Sequence, residues 1–248
     1  MSNRENTELL LFYNTENFFP PDAPQNHKTD ATKSGLQGWD ERKYIHKLNR
    51  IARVFQLVEE TEGVLPMMIG LAEIGNEKVL KDLIDLPPFY NKYKFVHYES
   101  LDERGVDVAL LYDPEKIEIL HSEPISYLFN MENGDDSYID TTRDILYCKV
   151  KYLDEIMNVF VCHLPSKREK DVNKPKRDFI LKDIKKKFLN IINDDDEAVL
   201  VLADFNENPT EENLTELILD ENNQPILINK YAEMFEQNIF STYHISEG

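Results

Sequence analysis

Apolar residues along this chain recur with two different spacings. Over residues 41–58 they fall at Tyr44, Leu48, Ile51, Phe55 and Val58, steps of three and four that put them on one face of a helix. Glu77–Ile84 reads as a shorter helix, stopped by Pro87 and Pro88. Residues 174–192 are amphipathic, with Pro175 in the first turn, where its missing N–H costs nothing. Residues 213–219 give one more short helix. Between the helices lie compact aliphatic, β-branched and aromatic runs at 9–13, 65–72, 93–98, 106–112, 116–120, 143–151, 158–162 and 199–203. These read as strands, with a turn at Asp113-Pro114 and a hairpin across 153–157. Residues 20–39 and 133–136 are polar and read as loops. Strands outnumber helices, and helices separate only some of them. The pattern predicts mixed sheets covered by helices, an α/β sandwich, in one domain over residues 1–248.

The apolar runs share a second property. Four of them lead straight into side chains able to do chemistry: Asn14 with Glu16 and Asn17, Glu73, His163, and Asp204 with Asn206. Strand ends in layered α/β folds are rigid places from which side chains converge on a cleft. Carboxylates and amide oxygens are the ligands that Mg²⁺ or Mn²⁺ takes. A carboxylate can also deprotonate water, and a histidine can hold or protonate a phosphate. Each residue also has a plain structural reading: a turn cap for Asn14, a rim carboxylate paired with a lysine for Glu73, a strand-end histidine for His163, an Asx-turn for Asp204–Asn206.

Charge narrows the partners. Formal net charge is −19, which argues against a broad grip on duplex DNA. The balance is uneven. Residues 167–187 carry ten Lys/Arg against four Asp/Glu, and residues 188–229 carry eleven Asp/Glu and no Lys/Arg. A basic strip could therefore meet a phosphate, or could be a solvated helix face. No apolar run is long enough for a membrane span, and the N-terminal residues lack a signal-peptide pattern. Cys148 and Cys162 each sit in an apolar strand and are expected as buried, reduced thiols. A cytoplasmic address follows by default.

The ordered motifs resemble a known family. YNTENFF (13–19), IGLAEIGNEKVL (69–80), RGVDVALLYDP (104–114), FVCHLPSKR (160–168) and VLADFNENP (201–209) are similar, in order, to the motifs of the endonuclease/exonuclease/phosphatase superfamily. TTRDIL (141–146) and YIHKLNRIARV (44–54) resemble its bacterial branch. The resemblance implies a four-layer α/β sandwich, two mixed sheets face to face with helices outside. It implies hydrolysis of a phosphoester, in a small molecule or a nucleic acid, with Mg²⁺ or Mn²⁺. Glu73 would be the principal metal ligand, with Asn14 and Glu16 beside it. His163 would contact the scissile phosphate, Asp204 would orient or deprotonate water, and Asn206 would hold the phosphate or the water. Asn14 and Arg143 would contact phosphate.

Two positions depart from the pattern. The usual glycine before the aspartate is Ala203, tolerable where the backbone is ordinary β. The family also ends on a strand bearing an Asp-His pair after a Ser/Thr-Tyr segment. Here FSTY (240–243) is followed by HISEG to Gly248, and His244 stands too near Tyr243 to be that histidine. The resemblance thus implies a sequence that stops before its last catalytic strand. Beside the hydrolase stands a second expectation, a member that keeps the cleft as a binding module.

Overall fold

The computed structural model describes residues 8–22, 36, 38–102, 104–130, 139–167 and 170–232. The loop over 133–136, most of the polar segment 20–39, and residues 240–248 lie outside them. Two compact units are formed, Met1–Leu164 with Leu200–Phe205, and Pro165–Val199 with Asn206–Gly248.

The first unit holds two four-stranded sheets. In one, β1 (Leu10–Phe18), β2 (Met68–Ile74), β4 (Asp107–Tyr112) and β3 (Lys94–His97) are neighbours in that order. β1 and β2 run parallel, while β2 with β4 and β3 with β4 run antiparallel. In the other, the order is β10 (Ala198–Asp204), β9 (Glu155–His163), β8 (Ile145–Tyr152) and β5 (Ile117–Ile125). A small ribbon pairs β6 (Leu128–Asn130) with β7 (Ile139–Thr141).

The central strands of the first sheet are apolar on both faces, and each face has its own core. One face packs Met68, Ala72, Val108 and Leu110 against Leu146, Cys148, Val159, Val161 and Leu202 of the second sheet. The sheets meet face to face there, as in a β-sandwich interior. Gly70 marks the tightest approach. A Cβ on it would lie 2.9 Å from Leu202 Cβ and 3.0 Å from Phe12 Cδ2. The other face packs Ile69, Leu71, Ile74, Ala109 and Leu111 against α1 (Glu41–Glu62) and α2 (Glu77–Ile84). The periodic residues of α1, Tyr44, Leu48, Ile51 and Phe55, supply its buried stripe, as their spacing predicts. Asp40 caps its first turn through Lys43 N, and Gly63 closes it in the left-handed conformation at φ 76°. The expected α/β sandwich is therefore present, with two sheets face to face and helices outside.

The second unit contains α3 (Lys174–Asn190), a single π turn at Ile191–Asp195, and α4 (Glu212–Leu217). Arg177, on the buried face of α3, is fully enclosed. It donates to both carboxylate oxygens of Asp171 (2.6 and 2.8 Å), to Glu207 Oε1 (2.8 Å) and to the Pro165 carbonyl (3.1 Å). Much of the basic strip is spent in this way. Lys167 pairs with Glu207 at 2.6 Å, Lys174 with Asp178 at 3.5 Å and Lys187 with Asp183 at 3.9 Å.

Most element boundaries fall within a few residues of expectation. The hairpin differs: 155–157 belong to β9, opposite Tyr152, Lys151 and Val150, which leaves only Leu153 and Asp154 to turn. Both cysteines are free and buried. Ala203 lies within β10 and is absent from the positive-φ positions, so the glycine's replacement meets ordinary strand backbone. Among the described residues no helix is long and apolar enough to cross a membrane.

Candidate active site

Parallel pairing of β1 with β2 sets Asn14 beside Ala72, so both strands reach their polar ends at one level. Neither stays regular there. The register shifts between Asn14 and Phe18 on β1, and between Ala72 and Ile74 where β2 meets β4. Glu16, Asn17 and Glu73 take left-handed φ values of 57°, 60° and 62°. Such irregularities re-aim side chains that a flat strand would bury or send to solvent. Thr15 pins the distortion, its hydroxyl donating to the Ala72 carbonyl at 2.8 Å and reaching that of Glu73 at 3.2 Å. In the second sheet, Leu164 N donates to the Asp204 carbonyl at 2.9 Å, which holds the ends of β9 and β10 together.

These four strand ends bring Asn14, Glu73, His163 and Asp204 to one place. Asn14 Nδ2 donates to Asp204 Oδ2 at 3.3 Å. His163 Nε2 lies 3.8 Å from Asp204 Oδ2 and 4.0 Å from Glu73 Oε1. Glu73 Oε2 accepts from Asn17 N at 2.7 Å. His163 is buried, and burial, with the charges of Arg143 and Arg104, holds its pKa well below the usual histidine range. The imidazole is thus neutral at physiological pH and keeps one N–H and one acceptor nitrogen.

Arg143 is buried and its charge reaches Glu73, Asp204 and His163. One of its nitrogens donates to the Leu164 carbonyl at 3.1 Å, while Nε and Nη1 have no hydrogen-bond partner among the described residues. A buried guanidinium with open donors is costly unless something accepts from it. An anionic oxygen is the natural acceptor, since the guanidinium fork matches phosphate. Burial pushes the Asp102 carboxyl up, against the pull of Arg143.

The strand-end pattern missed two residues, Arg104 and Lys47. Arg104 donates to Asn17 Oδ1 at 2.7 Å and lies 3.5 Å from Glu73 Oε1, so it locks the distorted end of β1 to the carboxylate. Asn17 supplies that carboxylate's backbone donor. Lys47, on α1, donates to the Glu16 carbonyl. Burial lowers its pKa, and the charges of Glu16 and Glu73 oppose that shift. Position alone could not reveal these contacts, because each depends on the bulged backbone. Glu16, expected beside the metal, is exposed and lines a separate cleft against α1. Asn206 has a left-handed φ of 52° and belongs to the second unit.

Among the described residues no group of three or more His, Cys, Asp or Glu side chains is placed to hold a metal by itself. Mg²⁺ does not require one, since it binds through one or two carboxylates and completes its shell with water and substrate phosphate. The donor set fits that habit. Glu73 is a largely buried carboxylate with Oε2 anchored and Oε1 facing His163 and Arg104 beyond hydrogen-bond range.

A sequence model of the endonuclease/exonuclease/phosphatase family matches residues 9–244. The chain belongs to this family. Endonucleases, exonucleases and phosphatases all act on phosphoester bonds. Two solved structures with TM-scores above 0.5 share the family member's fold. A Bacteroides vulgatus protein described as an endonuclease/exonuclease/phosphatase is 17% identical, with a TM-score of 0.53 over 84% of this chain and 68% of its own. A mannosyl-6-phosphatase of Bacteroides thetaiotaomicron is 14% identical, with a TM-score of 0.54 over 86% of this chain and 70% of its own. The human Nocturnin catalytic domain with bound sulfate is 18% identical, with a TM-score of 0.47 over 66% and 60%. The family member therefore spans 60% to 70% of the lengths of these proteins. No curated protein sequence matches the chain closely.

Proposed function

We propose that this family member hydrolyses phosphoester bonds by in-line attack of water, with Mg²⁺ or Mn²⁺ as cofactor. One observation carries the reading: Glu73 and Asp204 converge on a neutral His163, at 4.0 and 3.8 Å, in the field of a buried Arg143 with open donors. Anionic groups placed around one cationic fork suit a reaction whose substrate is itself an anion.

Glu73, with the amide oxygen of Asn14, would hold the metal, which when bound supplies neutralisation of phosphate charge. Asp204 orients the attacking water and accepts its proton. Asn14, by donating to Oδ2 of Asp204, fixes the carboxylate in position for that transfer. Arg143 donates through Nε and Nη1 to non-bridging phosphate oxygens, where charge is spread as the bond breaks. His163 presents a neutral imidazole N–H to the same group, and its low pKa keeps it from being captured as an ion pair by either carboxylate.

Two substitutions test the assignment. Asp204→Asn and Glu73→Gln should each lower turnover of bis(p-nitrophenyl) phosphate by roughly 10²–10⁴-fold, with the far-UV circular dichroism spectrum unchanged. Removal of divalent ions with EDTA should abolish turnover, and Mg²⁺ or Mn²⁺ should restore it. Equal turnover by both variants and the parent protein would overturn the reading.

A further inference from the structure

Beside the site, the first unit contains a cleft of about 700 Å³ between β1 and α1, a volume typical of ligand sites. Glu16 lines it, and the neighbouring Asn17 binds Glu73, so the cleft adjoins the distorted end of β1. Its α1 wall carries Arg42, His46 and Arg50, each four residues apart, with Lys43 and Lys47 beside them. Against these four lysines and arginines stand Glu16 and Asp40, and Asp40 is occupied in capping α1. In a chain of net charge −19 this is an anomalous concentration of positive charge.

Helix stability does not explain it. A helix favours anions at its N-terminus and cations at its C-terminus. α1 does the reverse: its cations crowd the N-terminal half, and its last turns carry Glu59, Glu60 and Glu62 with no basic residue in the last turn. Nor are the two arginines balanced locally. Among the described residues Arg42 and Arg50 have no ion-pair partner, whereas Arg53, just beyond the cleft, pairs with Glu60 at 2.6 Å. On α3, Lys174, Arg177 and Lys187 are likewise paired. Two aromatic rings complete the cleft. Tyr13 is held edge-on against Phe55 at 5.9 Å, and Trp39 is fixed by donation from Nε1 to the Pro20 carbonyl at 3.0 Å.

We infer that the cleft binds a second phosphate group of the substrate, separate from the one being hydrolysed, through Arg42, Arg50 and the lysines between them. Tyr13 and Trp39 offer flat walls to a ring lying between the two phosphates. This inference rests on the phosphoesterase reading, and it names the class of substrate: phosphoesters that carry a further phosphate.

The kinetic test compares a dinucleotide with and without a 5′-phosphate, and a sugar bisphosphate with its monophosphate. The parent protein should prefer the member bearing the second phosphate at least tenfold in kcat/KM. Arg42→Ala/Arg50→Ala should reduce that preference to within about twofold. A preference in both pairs identifies phosphate alone as the recognised group, and one confined to the dinucleotides adds the base. A preference that survives the double substitution overturns the inference. A binding test separates it from the catalytic reading. Fluorescence anisotropy of a labelled 5′-phosphorylated dinucleotide should show binding by Glu73→Gln, weakened at least tenfold by adding Arg42→Ala/Arg50→Ala and weakened by salt. If no substrate is turned over but this binding pattern appears, the cleft stands and the hydrolase reading falls. If Glu73→Gln and the triple variant bind alike, the cleft assignment falls whatever the turnover.

Discussion

Glu16, Asn17 and Glu73 are three non-glycine residues in the left-handed backbone region, grouped where two strands end. Each such residue costs of order 1–3 kcal/mol, and surrounding contacts must hold it. Here they are the Thr15 hydroxyl, the Arg104 guanidinium and the Asn17 N–H bond to Glu73. Glu16 offers the cleanest test, because its side chain is exposed. Glu16→Gly should leave thermal stability unchanged or raise it by up to about 1 kcal/mol. Glu16→Val places a branched Cβ in a region it avoids and should destabilise by roughly 1–3 kcal/mol. Urea titration of both variants measures the difference. Asn14, Glu73, His163 and Asp204 were legible in the sequence because each directly follows a buried run. Arg104 and Lys47 were not, since nothing in their neighbours' spacing signals that a bulge will turn the chain toward them.

At the level of elements, the apolar periodicities located the four helices and the eight longer strands of the described residues. They missed β6 and β7, which have three residues each, too few to show a period. They also extended the hairpin loop over Glu155, Ile156 and Met157, which are strand because they pair with β8. The polar end of β1 remains strand against its composition, since the Thr15 hydroxyl ties it to β2. Sequence gave no hint that Gly70 is the point of closest sheet approach. A methyl group there would meet Leu202, Phe12 and Val161 at 2.9, 3.0 and 3.3 Å. Gly70→Ala should therefore cost roughly 1–3 kcal/mol through overpacking, seen as a lower urea midpoint with the slope retained.

At the scale of the molecule, net charge of −19 says less than its distribution. In the strip that looks basic in sequence, Lys167, Lys174, Arg177 and Lys187 are tied into ion pairs, and Arg177 is wholly enclosed between Asp171 and Glu207. Arg177→Ala takes a shared partner from Asp171 and Glu207, leaving Glu207 with Lys167 and Asn213, and should destabilise by roughly 1–3 kcal/mol, measurable by chemical denaturation. The thiols report on the same cooperativity. Cys148 is pushed up to about 12 and Cys162 is raised as well, both by burial. Neither should react with iodoacetamide at pH 8 in the native state, and both should react in 6 M guanidinium, as mass spectrometry would show.

The candidate site is divided between the two sheets: Asn14 and Glu73 come from one, His163 and Asp204 from the other. The sandwich core is therefore also a caliper, and its thickness sets the gap across which these groups face each other. A shift of a few tenths of an ångström between sheets, too small to unfold anything, would change every distance in the site together. Val150, fully buried in that core and on a strand that carries none of the four groups, allows the idea to be tried. Val150→Ala should reduce kcat severalfold while the protein stays folded, since proton transfer and in-line attack are sensitive to small displacements. Mutations that thin the core would then alter the candidate site while leaving each of its side chains intact.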